Sequence, residues 1–263
     1  MIARVRHHIP MPKPRPFLCA LLSALLVAAT PAASGADRIL MIGDSMTVGG
    51  FGEQLQDSLV ARYGTQNVFI YGSCGSSPQH WLTVEPQHVT KCGYRERTPQ
   101  RAIVLDYREG RRPPPVATPK IDRLLWMHKP QTVIVQLGTN WFDDLTPRSS
   151  DEEIKKMAQS LDRLGASLRG KQVIWVLPPD CAKFPKNVQA TVRALILRAA
   201  KIWRFEVIES LPLTHYVNGR TGSDGVHYNT DEAKDWGRGV MKQLQKKIRT
   251  DNGPRVFFSD DKG

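Results

Sequence analysis

Five short apolar runs set the frame for this chain of 263 residues: Arg38 to Gly43, Asn67 to Tyr71, Thr132 to Leu137, Gln172 to Leu177 and Phe205 to Ile208. They are rich in Val and Ile and lack the strict polar alternation of a half-exposed strand, which predicts strands of a parallel sheet covered on both faces. Helical patterns fill the intervals. Ile154, Met157, Leu161, Leu164 and Leu168 recur at spacings of 3, 4, 3 and 4, and Ser150 with Glu153 makes a capping box in front of them. Thr118-Pro119 predicts the start of another helix, with Ile121, Leu124 and Leu125 facing inward. Residues 188–203 and 230–248 complete the set. The alternation is that of a doubly wound α/β domain.

One stretch, about 73–117, breaks this rhythm with Pro, Arg and Gly clusters such as Arg111-Arg112-Pro113-Pro114-Pro115 and no long periodic helix. A loop of that size inside a compact domain is usually functional or disordered, and a cross-link within it argues for order. Ala102 to Asp106 reads as a short extra strand. Residues 1–36 read as a secretory signal: Arg4, Arg6, Lys13 and Arg15 precede an apolar stretch, Phe17 to Ala29, that is too short to span a bilayer, and Ser34-Gly35-Ala36 suits a signal peptidase. An uncleaved anchor is the competing reading. Residues 37–250 are then one domain, and 251–263 a mobile charged tail. The expected location is periplasmic or secreted, with no stable membrane span.

Of the 37 basic residues four lie in the leader, which holds none of the 25 acidic ones, so the remainder carries +8. Such a balance favours contact with an anionic envelope polymer, or reflects no more than a solvated basic face. Nothing in the sequence resembles a nucleic-acid module. Three cysteines remain after Cys19 is removed with the leader. Cys74 and Cys92, 18 positions apart, are the expected disulfide, leaving Cys181 over as a buried thiol. There is no CxxC or HExxH, and neither a metal nor a cofactor is assigned. His80, His88 and His215 read as non-ligands.

The chemistry lies in four segments that come in order: Gly43-Asp44-Ser45, Gly72-Ser73-Cys74-Gly75, Gly138-Thr139-Asn140 and Asp224-Gly225-Val226-His227. A serine directly after a buried strand is held where a rigid sheet can aim its hydroxyl. Acyl transfer by serine needs a base near that hydroxyl, a carboxylate to orient the base, and donors where an oxyanion forms. Three positions separate Asp224 from His227, so the carboxylate can reach Nδ1 while Nε2 points to Ser45. Asn140 can donate through its amide beside the backbone N–H groups of Ser45 and Gly75, with Gly72 as a rival to Gly75. Asp44 reads as a tie within the serine loop.

Together these segments resemble the SGNH hydrolases, also called the GDSL esterase and lipase family, over roughly residues 38 to 248. The resemblance implies Ser45 as nucleophile, His227 as base, Asp224 as its orienting acid, and Ser45, Gly75 and Asn140 as the oxyanion hole. It implies a flavodoxin-like fold, a five-stranded all-parallel sheet with the site at the carboxyl ends of the strands. No Gly-x-Ser-x-Gly elbow is present. Family members often place Asp directly after the third-block Asn, whereas Trp141 and Phe142 intervene here before Asp143 and Asp144. The reading is an exported esterase that removes short acyl groups, chiefly acetyl, from acylated carbohydrate, with Trp81, Trp141 and Phe142 as stacking surfaces for the sugar or as packing. A lipid esterase, lysophospholipase or thioesterase is the enzyme alternative, and an inactive glycan-binding module the alternative of another class.

Overall fold

The computed structural model describes residues 37–106, 110–145 and 151–248. The expected leader, the tail and the Ser150 cap lie outside the described residues. Along the chain the elements are β1 (Ile39–Gly43), α1 (Ser45–Val48), α2 (Gly50–Tyr63), β2 (Val68–Ser73), β3 (Val89–Thr90), β4 (Tyr94–Arg97), β5 (Ala102–Leu105), β6 (Val116–Ala117) and α3 (Ile121–His128). There follow β7 (Thr132–Gln136), α4 (Trp141–Asp144), α5 (Asp151–Ser167), β8 (Gln172–Val176), α6 (Lys186–Trp203), β9 (Glu206–Ile208) and α7 (Thr230–Lys247).

All five apolar runs are strands, but the expected five-stranded, all-parallel flavodoxin-like sheet is not what forms. Seven strands make one mixed sheet in the order β5-β4-β2-β1-β7-β8-β9, and β3 and β6 pair separately as an antiparallel ribbon. The difference arises between β2 and α3. Here the chain reverses, so that β4 runs antiparallel to β2, with Ser73 opposite Tyr94, and β5 runs antiparallel to β4. Tyr94-Arg95-Glu96-Arg97 has no apolar run to announce it, and its charges are accommodated by partners. Glu96 accepts from Tyr94 Oη at 3.2 Å and pairs with Arg101 at 3.8 Å, while Arg95 is buried on the carbonyl of Val48. The short extra strand expected at 102–106 is β5.

Around β1 the strands are covered on both faces, and the period of two divides their side chains between two apolar layers. Leu40, Ile42, Phe69, Tyr71, Val133 and Val135 pack with residues of α3, α4, α5 and α6. Ile39, Met41, Val68, Ile70 and Ile134 pack with residues of α1, α2 and α7. A fully buried side chain such as Ile134 contributes ~1.5–3 kcal/mol by leaving water. Phe51 of α2 stacks on Trp236 of α7 with ring centroids 3.8 Å apart, joining the helix that follows the first motif to the helix that follows the last. The helix expected from Thr118-Pro119 begins instead at Ile121. Thr118 is withheld from it because its hydroxyl is engaged with Ser73 and His88, at 2.7 Å each. No helix among the described residues is long and apolar enough to cross a membrane.

Candidate active site

Three of the four motifs leave the carboxyl ends of three adjacent strands. In the sheet register Gly43 lies opposite Gly72 on one side and Gln136 on the other. The loops carrying Ser45, Gly75 and Asn140 therefore start side by side. Gly43 has no room for a side chain, since a Cβ there would fall 1.9 Å from Thr47 Oγ1 and 2.9 Å from the Gln136 carbonyl. Thr47 Oγ1 in turn donates to Gln136 Oε1 at 2.9 Å, which ties the serine turn to β7. Gly72 is a packing glycine of the same kind, with the backbone of Thr47 and Val48 3.0 Å from the place of its missing Cβ.

Ser45 begins α1, and Asp44 caps it by accepting the Met46 N–H at Oδ1 (3.0 Å). Asp44 is completely buried, and burial pushes its carboxyl up to about 6 even though the Met46 N–H, Gln136, His227 and Thr139 pull the other way. At the far end of α1 the guanidinium of Arg95 grips the Val48 carbonyl through Nε (3.0 Å) and Nη2 (2.9 Å), and its Nη1 donates to Gln56 Oε1 at 3.1 Å. Sequence reading misses this residue; the signal is an arginine between Tyr94 and Glu96 in the stretch about 73–117 that lacks a long periodic helix.

Asp224 and His227 come from the turn before α7. The Asp224 carboxylate accepts the backbone N–H groups of Val226 (2.9 Å) and His227 (2.7 Å) at Oδ1, which bends the chain back on itself. Its Oδ2 is left for His227 Nδ1, at 2.5 Å. His227 Nε2 lies 2.8 Å from Ser45 Oγ, across 182 positions of sequence. Burial alone would raise the Asp224 pKa, but the hydrogen bonds from the His227 ring and from the two backbone N–H groups prevail and hold it at about 2. Asp224 is therefore ionised at neutral pH and can only accept from the Nδ1 of His227, whose Nε2 faces the serine.

The turn is braced by residues the sequence did not announce. Tyr216 Oη accepts the Gly225 N–H at 3.0 Å and donates to the His227 carbonyl at 3.2 Å. Asp180 accepts the Tyr216 N–H at 3.0 Å and pairs with Lys186, and Tyr228 Oη donates to the Asp180 carbonyl at 2.6 Å. Gly225 sits at φ +79° with its carbonyl accepting from Ala182 and Lys183, a contact any Cβ would obstruct. Cys181, beside this brace, is a free and fully buried thiol, pushed up to about 12 by burial first and nearby carboxylates second.

Gly75 lies at φ +77°, a conformation that favours glycine, in a turn closed by the Cys74–Cys92 disulfide. Asn140 Nδ2 donates to the Ser76 carbonyl at 2.8 Å, so the two loops are joined directly. An amide nitrogen carries two hydrogens, and this bond uses one.

The aromatic residues expected as sugar platforms are elsewhere. Trp81, Trp141 and Phe142 are 0%, 1% and 1% exposed and belong to the core cluster. Trp81 Nε1 donates to Ser76 Oγ (3.2 Å) and Trp141 Nε1 to Gln79 Oε1 (3.0 Å), so both tryptophans tie loops down. Trp141 borders a cavity of about 580 Å³, together with Gln79, Glu85, Gln159, Ser160 and Arg163. None of Ser45, Asp224 and His227 lines that cavity. The serine is partly exposed, and the side chains of His227 and Asp224 are 49% and 51% exposed. The hydrogen-bonded chain thus stands in an open, water-accessible position. Among the described residues no three His, Cys, Asp or Glu side chains are grouped to hold a metal ion.

No protein-family model matches the chain, and no curated protein matches it. Solved structures do share its fold. The psychrotrophic esterase EstA from Pseudoalteromonas sp., in a form inhibited by monoethylphosphonate, is 14% identical over 80% of this chain and 99% of that one, with a TM-score of 0.52. Est24, a carbohydrate acetylesterase from Sinorhizobium meliloti, is 16% identical over 80% and 100%, at 0.51. A GDSL-like lipase from Bacteroides thetaiotaomicron is 15% identical over 81% and 90%, at 0.50. At such identities the likeness is one of fold, and the fold is one that esterases and lipases use.

Proposed function

We propose that this chain is a serine esterase of the SGNH type, with Ser45 as nucleophile, His227 as general base and Asp224 as the acid that orients it. One observation carries the reading: an unbroken hydrogen-bonded chain from Ser45 Oγ through His227 to an Asp224 carboxylate held ionised. His227 Nε2 takes the hydroxyl proton as Ser45 Oγ attacks the ester carbonyl. The Ser45 and Gly75 N–H groups and the Asn140 amide receive the oxyanion. His227 then passes the proton to the departing alcohol, and in the second half of the cycle activates the water that releases the acid. The shared fold with esterases and the ordering of the four motifs support the same assignment.

The substrate we propose is a short acyl ester, chiefly acetyl, on a carbohydrate. With the aromatic platforms buried, the support is the open setting of Ser45 and His227 and the fold shared with a carbohydrate acetylesterase. A long acyl chain needs an apolar groove, because each buried CH₂ returns only ~0.8 kcal/mol. Export, from the leader composition and from the Cys74–Cys92 bond that an oxidising compartment preserves, belongs to the same proposal.

The test is a hydrolysis assay on the purified protein and on Ser45→Ala, with model esters from acetyl to octanoyl and with acetylated glycans. The expected result is Ser45-dependent turnover that falls with chain length, and acetate released from at least one glycan. Near-normal hydrolysis by Ser45→Ala would remove the mechanism. A steady rise through octanoyl with no acetate from any glycan would replace the substrate by a lipid ester.

A further inference from the structure

The Gly75 turn is gripped from outside by two histidines that the proposed mechanism does not use. His80, in the single turn Pro78–Trp81, accepts the Ser77 N–H at Nδ1, 2.9 Å away. His88 Nδ1 lies 2.7 Å from Thr118 Oγ1, and the same oxygen lies 2.7 Å from Ser73 Oγ at the end of β2. The two imidazoles stack on each other, with centroids 4.3 Å apart and planes 16° from parallel. A Cβ added to Gly75 would stand 3.8 Å from His88 Nε2 and 3.9 Å from Cys92 Sγ, so the histidine pair and the disulfide close over one and the same turn. Inside it, Ser76 offers its carbonyl to Asn140 Nδ2 at 2.8 Å and its hydroxyl oxygen to Trp81 Nε1 at 3.2 Å.

We infer that His80 is a positioning residue for the oxyanion donors: by accepting the Ser77 N–H it holds the peptide on which Ser76 anchors the Asn140 amide. The inference rests on the esterase reading and adds a residue to it. A ring nitrogen that accepts a hydrogen bond carries no proton, so His80 must be neutral, with its hydrogen on Nε2. Its neighbours enforce this. Burial first, then the facing His88 and Lys120, lower its pKa to about 4, and burial and Lys120 lower that of His88. Lys120 Nζ is itself spent on the carbonyls of His80, Glu85 and Pro86, while the Glu85 carboxylate turns to Arg163 at 2.6 Å. Ser77 is 1% exposed, so without an acceptor its N–H has no ready substitute in water.

Two variants and one spectrum test the assignment, the variants on a model acetyl ester. His80→Phe keeps an aromatic ring against His88 and removes the acceptor, whereas His80→Asn restores a side-chain oxygen close to the place of Nδ1. A donor displaced by about an ångström costs on the order of 10²-fold. The expected result is therefore a kcat lowered roughly 10- to 100-fold in His80→Phe with KM within about twofold, most of it recovered in His80→Asn. In the wild-type protein, ¹⁵N shifts of the His80 ring should show Nδ1 unprotonated at neutral pH. An unchanged kcat in His80→Phe, an equal loss in both variants, or a proton on Nδ1 would overturn the inference. Should His80→Phe fail to fold, the ring spectrum and His80→Asn decide it. Activity that survives in Ser45→Ala is a separate outcome and would overturn the esterase reading instead.

Discussion

Replacing Asp44 by asparagine should stabilise the protein by an amount that grows with pH. Asp44 has its Oδ1 satisfied by the Met46 N–H, whereas Oδ2, like the nearby Gln136 Nε2 and Thr139 Oγ1, completes no well-formed hydrogen bond among the described residues, and the pull of Gln136 and Thr139 on the carboxyl is too weak to offset its burial. Burial lifts the folded pKa to about 6, whereas an unfolded aspartate ionises near ~3.9. Between these values the folded chain holds a proton that the unfolded chain has released. Stability from this group therefore falls as pH rises, by ~1.4 kcal/mol per unit, and the loss levels off above about pH 6 at ~3 kcal/mol. Asparagine keeps an oxygen for the Met46 N–H and abolishes the buried charge. Its new NH₂ meets one group that can accept, the Thr139 hydroxyl, and one that cannot, the Gln136 amide nitrogen, which takes back part of the gain. The expected net gain is ~1–3 kcal/mol at neutral pH and close to zero near pH 4. Urea unfolding of both proteins across that range measures it directly. A difference that is constant with pH, or that shrinks as pH rises, would refute the account of Asp44 as a buried carboxylate with a raised pKa.

Three further outcomes are expected. Asn140→Ala should lower kcat by roughly 10²–10³-fold, the usual cost of one oxyanion donor, and an effect confined to KM would take Asn140 out of the hole. Reducing the Cys74–Cys92 bond should cost ~3 kcal/mol in the loop-entropy account and depress activity as well, because the bond closes the Gly75 turn; full activity in the reduced, still folded protein would separate the two. Tyr216→Phe removes the acceptor of the Gly225 N–H and the donor to the His227 carbonyl, so a loss of ~1–3 kcal/mol in thermal or urea unfolding is expected, with a lower kcat.

What was legible in the sequence were the parts that rest on local rules. Apolar runs without alternation marked the five parallel-paired strands, and the 3-4 spacing of Ile154 to Leu168 marked α5. Asp224 and His227 were readable as a pair because three positions and a glycine are enough to turn a carboxylate onto an imidazole. The mixed sheet was not readable. β4 is made of Tyr94, Arg95, Glu96 and Arg97, whose fitness for a strand depends above all on Val48 and Gln56, which lie 47 and 39 positions from Arg95. The aromatic residues misled for a related reason. Trp81 and Trp141 lie in polar stretches that read as rim, yet the Trp81 indole finds Ser76 in its own segment and the Trp141 indole finds Gln79 across the fold, and in each case that partner is what makes burial affordable.

The 182 positions between Ser45 and His227 also shape how this molecule comes into being. The serine lies on the innermost route of the sheet, since β1 is flanked by β2 and β7, and the imidazole arrives only with the turn that precedes α7. During synthesis the Ser45 hydroxyl emerges 182 positions before its imidazole partner. No N-terminal portion that stops short of residue 224 contains both partners of this hydrogen bond, however much of its sheet has formed. The contact between them is of very long range, and topologies dominated by such contacts are slow to fold. The hydrogen bond between Ser45 and His227 can therefore close only once the turn before α7 is in place.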